Sequence, residues 1–149
     1  MVDILHGVGI KGASPAKVYE AIATRDGVAA WWSTRADGDS AVGEVLRFWF
    51  DVADASIDVK VIELEPSKRV RWEVVGGPNE WLGTTISFEL LPDGDYTRVL
   101  FKHEGWSEPV EFMHHCSTKW GVFMLSLKQL VETGTGAPAP YDVKIDNWN

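Results

Sequence analysis

EPVEFMHHCSTKWGVFMLSLKQLVET, residues 108–133, carries the long helical periodicity on which the reading of this chain turns. Met113, Cys116, Trp120, Phe123, Leu127 and Leu130 recur at intervals of three and four, and Phe112, Met124 and Val131 widen the stripe. Glu108 and Glu111 stand near its start and Lys128 near its end, the arrangement the helix dipole favours. Gly134 and Gly136, then Pro138 and Pro140, stop it. The spacing predicts one long helix over 108–133 with a broad apolar face that needs a partner.

Upstream the period changes to two. In Leu46–Arg47–Phe48–Trp49–Phe50–Asp51, the residues Leu46, Phe48 and Phe50 point one way and Arg47, Trp49 and Asp51 the other. Residues 57–65 read as a strand whose phase slips between Val61 and Ile62, the mark of a bulge. Glu65–Pro66–Ser67–Lys68 is a tight turn. Val70, Trp72 and Val74 alternate in the next strand, Ile86, Phe88 and Leu90 in the one after. Pro92–Asp93–Gly94–Asp95 then returns the chain to a strand where Thr97, Val99, Phe101 and His103 share a face. Strands joined by short turns make an antiparallel meander. Before it, residues 3–12 read as a first strand. Ser14 and Pro15 open a short helix, and residues 28–32 form a second.

The layout is therefore α+β: a curved antiparallel sheet of about six strands, two short helices after the first strand, and a long C-terminal helix laid across the sheet. Residues 1–136 read as one domain. The tail 137–149, with Tyr141, Val143, Ile145 and Trp148, is expected to pack on that domain or to add to an interface. A chain of 149 residues, 45% hydrophobic, is long enough to bury a core without a staple. Its net charge of −8 opposes phosphate backbones and anionic lipid surfaces, so neither nucleic acid nor membrane is an expected partner. Cys116 is the one cysteine, which excludes an internal disulfide. The start has no basic, apolar leader and no run spans a bilayer, so a cytoplasmic location is expected.

The order of elements, with several local phrases, resembles the SRPBCC (START-like, birch-pollen-allergen-like) superfamily. Ser14–Pro15–Ala16–Lys17–Val18–Tyr19 is similar to its first helix and Gly27–Val28–Ala29–Ala30–Trp31–Trp32 to its second. Val61–Ile62–Glu63–Leu64–Glu65–Pro66, the pair Gly105–Trp106, Trp120–Gly121, and residues 125–134 extend the match. Within the superfamily the wording resembles the branch related to the C-terminal domain of the activator of heat shock protein 90 ATPase. The resemblance implies a helix-grip fold, in which the sheet wraps the last helix and leaves a cavity for an apolar or aromatic small molecule. It also implies two alternatives: a chaperone partner, and a cyclase or hydrolase acting on a polyketide-like ring.

Eight tryptophans in one small domain fit such a cavity, and they fit a filled core equally. Parity assigns Phe48, Phe50, Trp72, Phe88, Phe101 and His103 to the inner sheet face, with Leu46 beside them. Met113, Trp120, Phe123 and Met124 face them from the helix, and Trp31 or Trp32 closes the mouth. His103, a polar residue in an apolar row, is the candidate to bond a ligand or to act as acid and base; a structural histidine is the plain alternative. No metal or cofactor is expected. His114, His115 and Cys116 are consecutive on a helix and diverge by about 100° each, so they cannot converge on one ion; the expected arrangement is an inward cysteine and two rim histidines. Gly7-x-Gly9 lacks the context of a phosphate loop. Asp51, Glu73 and Glu89 fall on solvent faces. Trp49 on the outer face and Trp81 in a loop are the aromatics available for a partner surface or a homodimer.

Overall fold

A computed structural model describes residues 1–50 and 56–149. The chain runs β1 (Val2–Lys11), α1 (Pro15–Ala23), α2 (Arg25–Ala29), β2 (Arg35–Gly38), β3 (Val45–Trp49), β4 (Ser56–Glu65), β5 (Arg69–Gly76), a 3₁₀ turn (Asn79–Trp81), β6 (Thr85–Asp93), β7 (Tyr96–Trp106) and α3 (Glu111–Thr133). The strands form one antiparallel sheet in the order β1-β7-β6-β5-β4-β3-β2, so every neighbour except β1–β7 is consecutive in sequence. Among the described residues the sheet has seven strands where the sequence indicated about six; the added one is β2, whose sequence Arg-Ala-Asp-Gly has no apolar alternation to announce it.

Local signals account for most boundaries. The Ser14 hydroxyl accepts from the Lys17 N–H, and Pro15 occupies the first turn of α1. Thr24 ends α1 and also caps α2, its hydroxyl accepting from the Gly27 N–H, so the second helix begins before Val28. The slip in β4 is real, with the register shifting between Val61 and Glu63, so that Val61 is buried and Ile62 exposed. α3 starts at Glu111, Val110 serving as its N-cap, and stops at Gly134, whose φ of 92° is the left-handed cap that glycine adopts freely. Asp51 lies outside the described residues.

The core sits between α3 and the concave face of the sheet. Leu46, Phe48, Val70, Trp72, Ile86, Phe88, Val99 and Phe101 from the strands are fully buried beneath Trp120, Met124 and Leu127 of α3. α1 and α2 close one end, bringing Trp31 and Trp32 inward; the Trp31 Nε1–H donates to the Ala21 carbonyl at 2.8 Å. The tail is not a strand. Ala139 bridges to Ser33, Tyr141 and Val143 are exposed, and the residue turned inward is Asp142, 4% exposed. Asp142 forms a buried ion pair with Lys119 of α3, whose ammonium also donates to the Val143 carbonyl at 2.9 Å. That pair straps the tail to the N-terminal half of α3.

Candidate functional site

Four indoles pack as a column through the molecule. Trp72 stacks on Trp32 at 5.8 Å, Trp32 on Trp120 at 5.3 Å and Trp120 on Trp81 at 5.8 Å, with interplanar angles of 17°, 26° and 20°. Near-parallel offset rings of this kind add attraction beyond area burial. The last two are also cross-linked by hydrogen bonds. An indole N–H can only donate, so the 3.1 Å contact between Trp120 Nε1 and His103 Nδ1 makes that nitrogen the acceptor. His103 therefore carries its proton on Nε2 and donates to the Thr84 hydroxyl at 2.8 Å. Thr84 in turn donates to the Trp81 carbonyl at 2.5 Å. The Trp81 indole closes the circuit by donating to Cys116 Sγ at 3.4 Å.

Burial drives both titratable members of this network toward neutrality. The His103 imidazole is pushed down to about 3 by desolvation. Desolvation pushes the Cys116 thiol up to about 12, against a smaller lowering by the Trp81 N–H. Neither is ionised near neutral pH. His103 has both nitrogens committed to protein groups and is completely buried, so it holds Trp120 and Thr84 in place.

Beside the column lies a cavity of about 780 Å³. Trp32, Trp81, Trp120, Phe50, Phe112 and Phe123 form its aromatic walls, with Ile57 and Pro78 beside them. α3 contributes one edge of its apolar stripe: Phe112, His115, Cys116, Lys119, Trp120 and Phe123. Ser56 comes from the start of β4, Gly77 from the loop after β5 and Glu80 from the 3₁₀ turn. The tail supplies Asn147, Trp148 and Asn149. Trp148 packs against Phe112 at 6.1 Å and His115 at 5.5 Å, while His115 Nδ1 lies 2.7 Å from Asp146 Oδ2. Lys119 sits 5.2 Å above the Phe123 ring.

Of the residues assigned to a binding surface from sequence, Trp32, Phe50, Trp120 and Phe123 stand in this wall. Trp31, Phe48, Trp72, Phe88, Phe101, His103 and Met124 are instead packed into the core, away from the lining, each at most 1% exposed. Met113 is half-buried against the core and also off the wall. Parity put these side chains on the correct side of the sheet; jigsaw packing of their rings fills the space there. Trp81, read as a loop aromatic, is buried, and Trp49 is half-covered beneath the Arg35 guanidinium at 5.6 Å. Sequence reasoning passed over Phe112, His115 and Lys119 as site residues. Their signal was present in the spacing 112, 115, 119, 123, which is one helix edge. Among the described residues no group of histidine, cysteine and carboxylate side chains is arranged to hold a metal ion, and no helix is long and apolar enough to cross a membrane.

Comparison with known proteins adds the lineage. Residues 12–132 match the family described as Activator of Hsp90 ATPase homolog 1-like protein. The Aha1 dimer from Colwellia psychrerythraea, solved in solution, is 45% identical, covering 91% of this chain and all of its own (100%), with a TM-score of 0.82. SSP2350 from Staphylococcus saprophyticus is 15% identical over 91% of this chain and 95% of its own, TM-score 0.74. CalU16 from Micromonospora echinospora is 20% identical over 93% of this chain and 77% of its own, TM-score 0.68. For the last two the likeness is one of fold. No curated protein matches the sequence. A helix-grip sheet around α3, a family match over most of the chain and a solved relative at 45% identity agree: the chain belongs to the Activator of Hsp90 ATPase homolog 1-like family.

Proposed function

We propose that this protein binds a flat apolar or aromatic small molecule in the cavity between the N-terminal half of α3, the 3₁₀ turn and the tail. The observation that carries the reading is the wall itself: about 780 Å³ bounded by four tryptophans and three phenylalanines, within the size range of small-molecule sites. Binding replaces water against those rings with ligand, and apolar area removed from water contributes on the order of 25 cal/mol per Å². Orientation comes from the few polar groups in the lining, chiefly Lys119, His115 and Glu80.

Thermal unfolding against sterols, fatty acids, flavonoids and polyketide-like aromatics tests the reading. A ligand at about 100 times its dissociation constant adds roughly 2.7 kcal/mol, a rise of several degrees for a domain this size. Ile57→Trp, which fills the cavity from β4, should abolish the rise. A panel-wide absence of any shift in the wild type defeats the reading.

The family match favours a second reading, a partner of heat shock protein 90 that stimulates its ATPase. The dimeric relative adds self-association to that reading. Stimulated chaperone turnover that survives Ile57→Trp would support it over ligand binding. Sedimentation of the purified chain tests the homodimer.

A further inference from the structure

We propose that His115 and Asp146 form a general-base pair that takes a proton from a ligand seated in the cavity, with Lys119 beside them to hold the oxygen that gains charge. The inference rests on the binding reading above and names the chemistry of that same site. Its basis is geometric. An ionised carboxylate only accepts, so the 2.7 Å contact from His115 Nδ1 to Asp146 Oδ2 puts the imidazole proton on Nδ1. The lone pair then lies on Nε2, at the other side of the ring, where no described residue bonds it. His115 is held in a three-ring cluster, parallel to Phe112 at 5.9 Å and 9° and packed on Trp148 at 5.5 Å, with Phe112 and Trp148 themselves 6.1 Å apart. A cavity-lining imidazole with a fixed tautomer, a fixed plane and one free nitrogen is what a base needs.

Asp146 is kept ionised by the same contact, the hydrogen bond from His115 holding its carboxyl below the usual range. Lys119 is one helical turn further along the same edge of α3 and lines the same cavity. Two of its three N–H groups go to Asp142 and to the Val143 carbonyl. The third is unassigned among the described residues.

The reaction class is proton abstraction from carbon beside a carbonyl. His115 Nε2 takes the proton, the C–H electron pair moves into the carbonyl, and the enolate oxygen accepts from Lys119. The imidazolium is stabilised by Asp146, then returns its proton to the other end of the enolate. Imidazole is restored and the ligand is an isomer of the one that entered. The substrate class is a flat, enolisable, largely apolar carbonyl compound.

The test uses 5-nitrobenzisoxazole, a flat carbon acid. Loss of its C3 proton to a base forms the nitrile, breaks the N–O bond and releases a coloured phenolate. Wild-type protein should show saturable turnover. His115→Ala should lower kcat by about 10²-fold or more while thermal unfolding stays within a few degrees of wild type. Asp146 is a positioning residue: Asp146→Asn should lower kcat about tenfold with KM little changed, and Asp146→Glu should restore part of it. His114→Ala, on the neighbouring exposed position, should leave the rate unchanged. Tryptophan quenching by the probe reports binding separately. Quenching with a rate indifferent to His115→Ala overturns this inference and leaves the binding reading standing. Neither quenching nor saturable turnover overturns the inference, and the ligand panel then judges the binding reading on its own.

Discussion

Both ring nitrogens of His103 are bonded inside the protein, whereas Nε2 of His115 has no partner among the described residues. The two rings carry their protons on opposite nitrogens for a simple reason. His103 meets an indole N–H, which can only donate; His115 meets a carboxylate, which can only accept. One is completely buried in the aromatic core and the other lines the cavity. The difference teaches that a polar residue in an apolar row is not thereby a site residue. What decides is whether its partners exhaust it. Buried networks that are fully satisfied rigidify a core; those with an unfilled position are where chemistry is available.

The comparison can be broken at the core end with the largest effect. Trp120→Ala removes a buried indole and leaves His103 Nδ1 without its donor, and should cost at least roughly 3–5 kcal/mol in chemical unfolding. A loss below about 1 kcal/mol would mean that the column is not the packed unit described here. Lys119→Met should cost less, roughly 1.5–3 kcal/mol, because it removes the buried partner of the Asp142 carboxylate, whose side chain is 0% exposed and which keeps only the Lys144 ammonium at 3.3 Å. Replacing both partners, as in Lys119→Met with Asp142→Leu, should recover much of that loss. Lack of recovery would argue against the pairing.

A pH series sharpens the contrast between the histidines. The His103 imidazole is depressed from an ordinary 6.5 to about 3, so the unfolded chain binds a proton that the folded chain refuses. Stability should therefore fall as pH drops from about 6.5 toward 3, by about 1.4 kcal/mol per pH unit from this group alone. His103→Gln should lack that slope, so it should remain as the difference between the two proteins' pH profiles. The smallest effect is kinetic and leaves the fold intact: Cys116, with its thiol pushed up to about 12, should react with an aromatic disulfide at pH 8 far more slowly than free cysteine. A fast reaction would show that the cavity wall is more open, or the thiol less desolvated, than its burial indicates.

Much of the scaffold was readable before any coordinates. Helical spacing located α3, Ser14–Pro15 marked the start of α1, and the phase slip at Val61 and Ile62 marked the bulge. Each is a local rule with a period or a cap behind it. β2 escaped because four polar and small residues pair through their backbone, which side-chain pattern does not record. The site was less legible. Parity distinguishes inward from outward, but a cavity is the volume that packing leaves, and it is bounded in part by the Gly77–Trp81 loop and by the tail, whose placement no period fixes. The alternation of Tyr141, Val143 and Ile145 suggested an apolar face on the tail, yet the buried ion pair of Asp142 with Lys119 decides which way it lies.

The sheet order has a consequence for how the chain is made. β1 pairs along its length with β7, Lys11 opposite Tyr96 and Ile4 opposite His103, while every other strand pairs with its neighbour in sequence. On a ribosome β1 emerges well before its partner and must wait, unpaired with it, until β7 has been synthesised. At about 5–20 residues per second that interval is several seconds, long against the microseconds in which a hairpin forms. The meander β2–β7 has time to assemble first, and β1 then closes a loop spanning most of the chain. Its two glycines, Gly7 and Gly9, keep it poor in strand propensity during that wait, a property suited to a strand that must not pair early with a stranger.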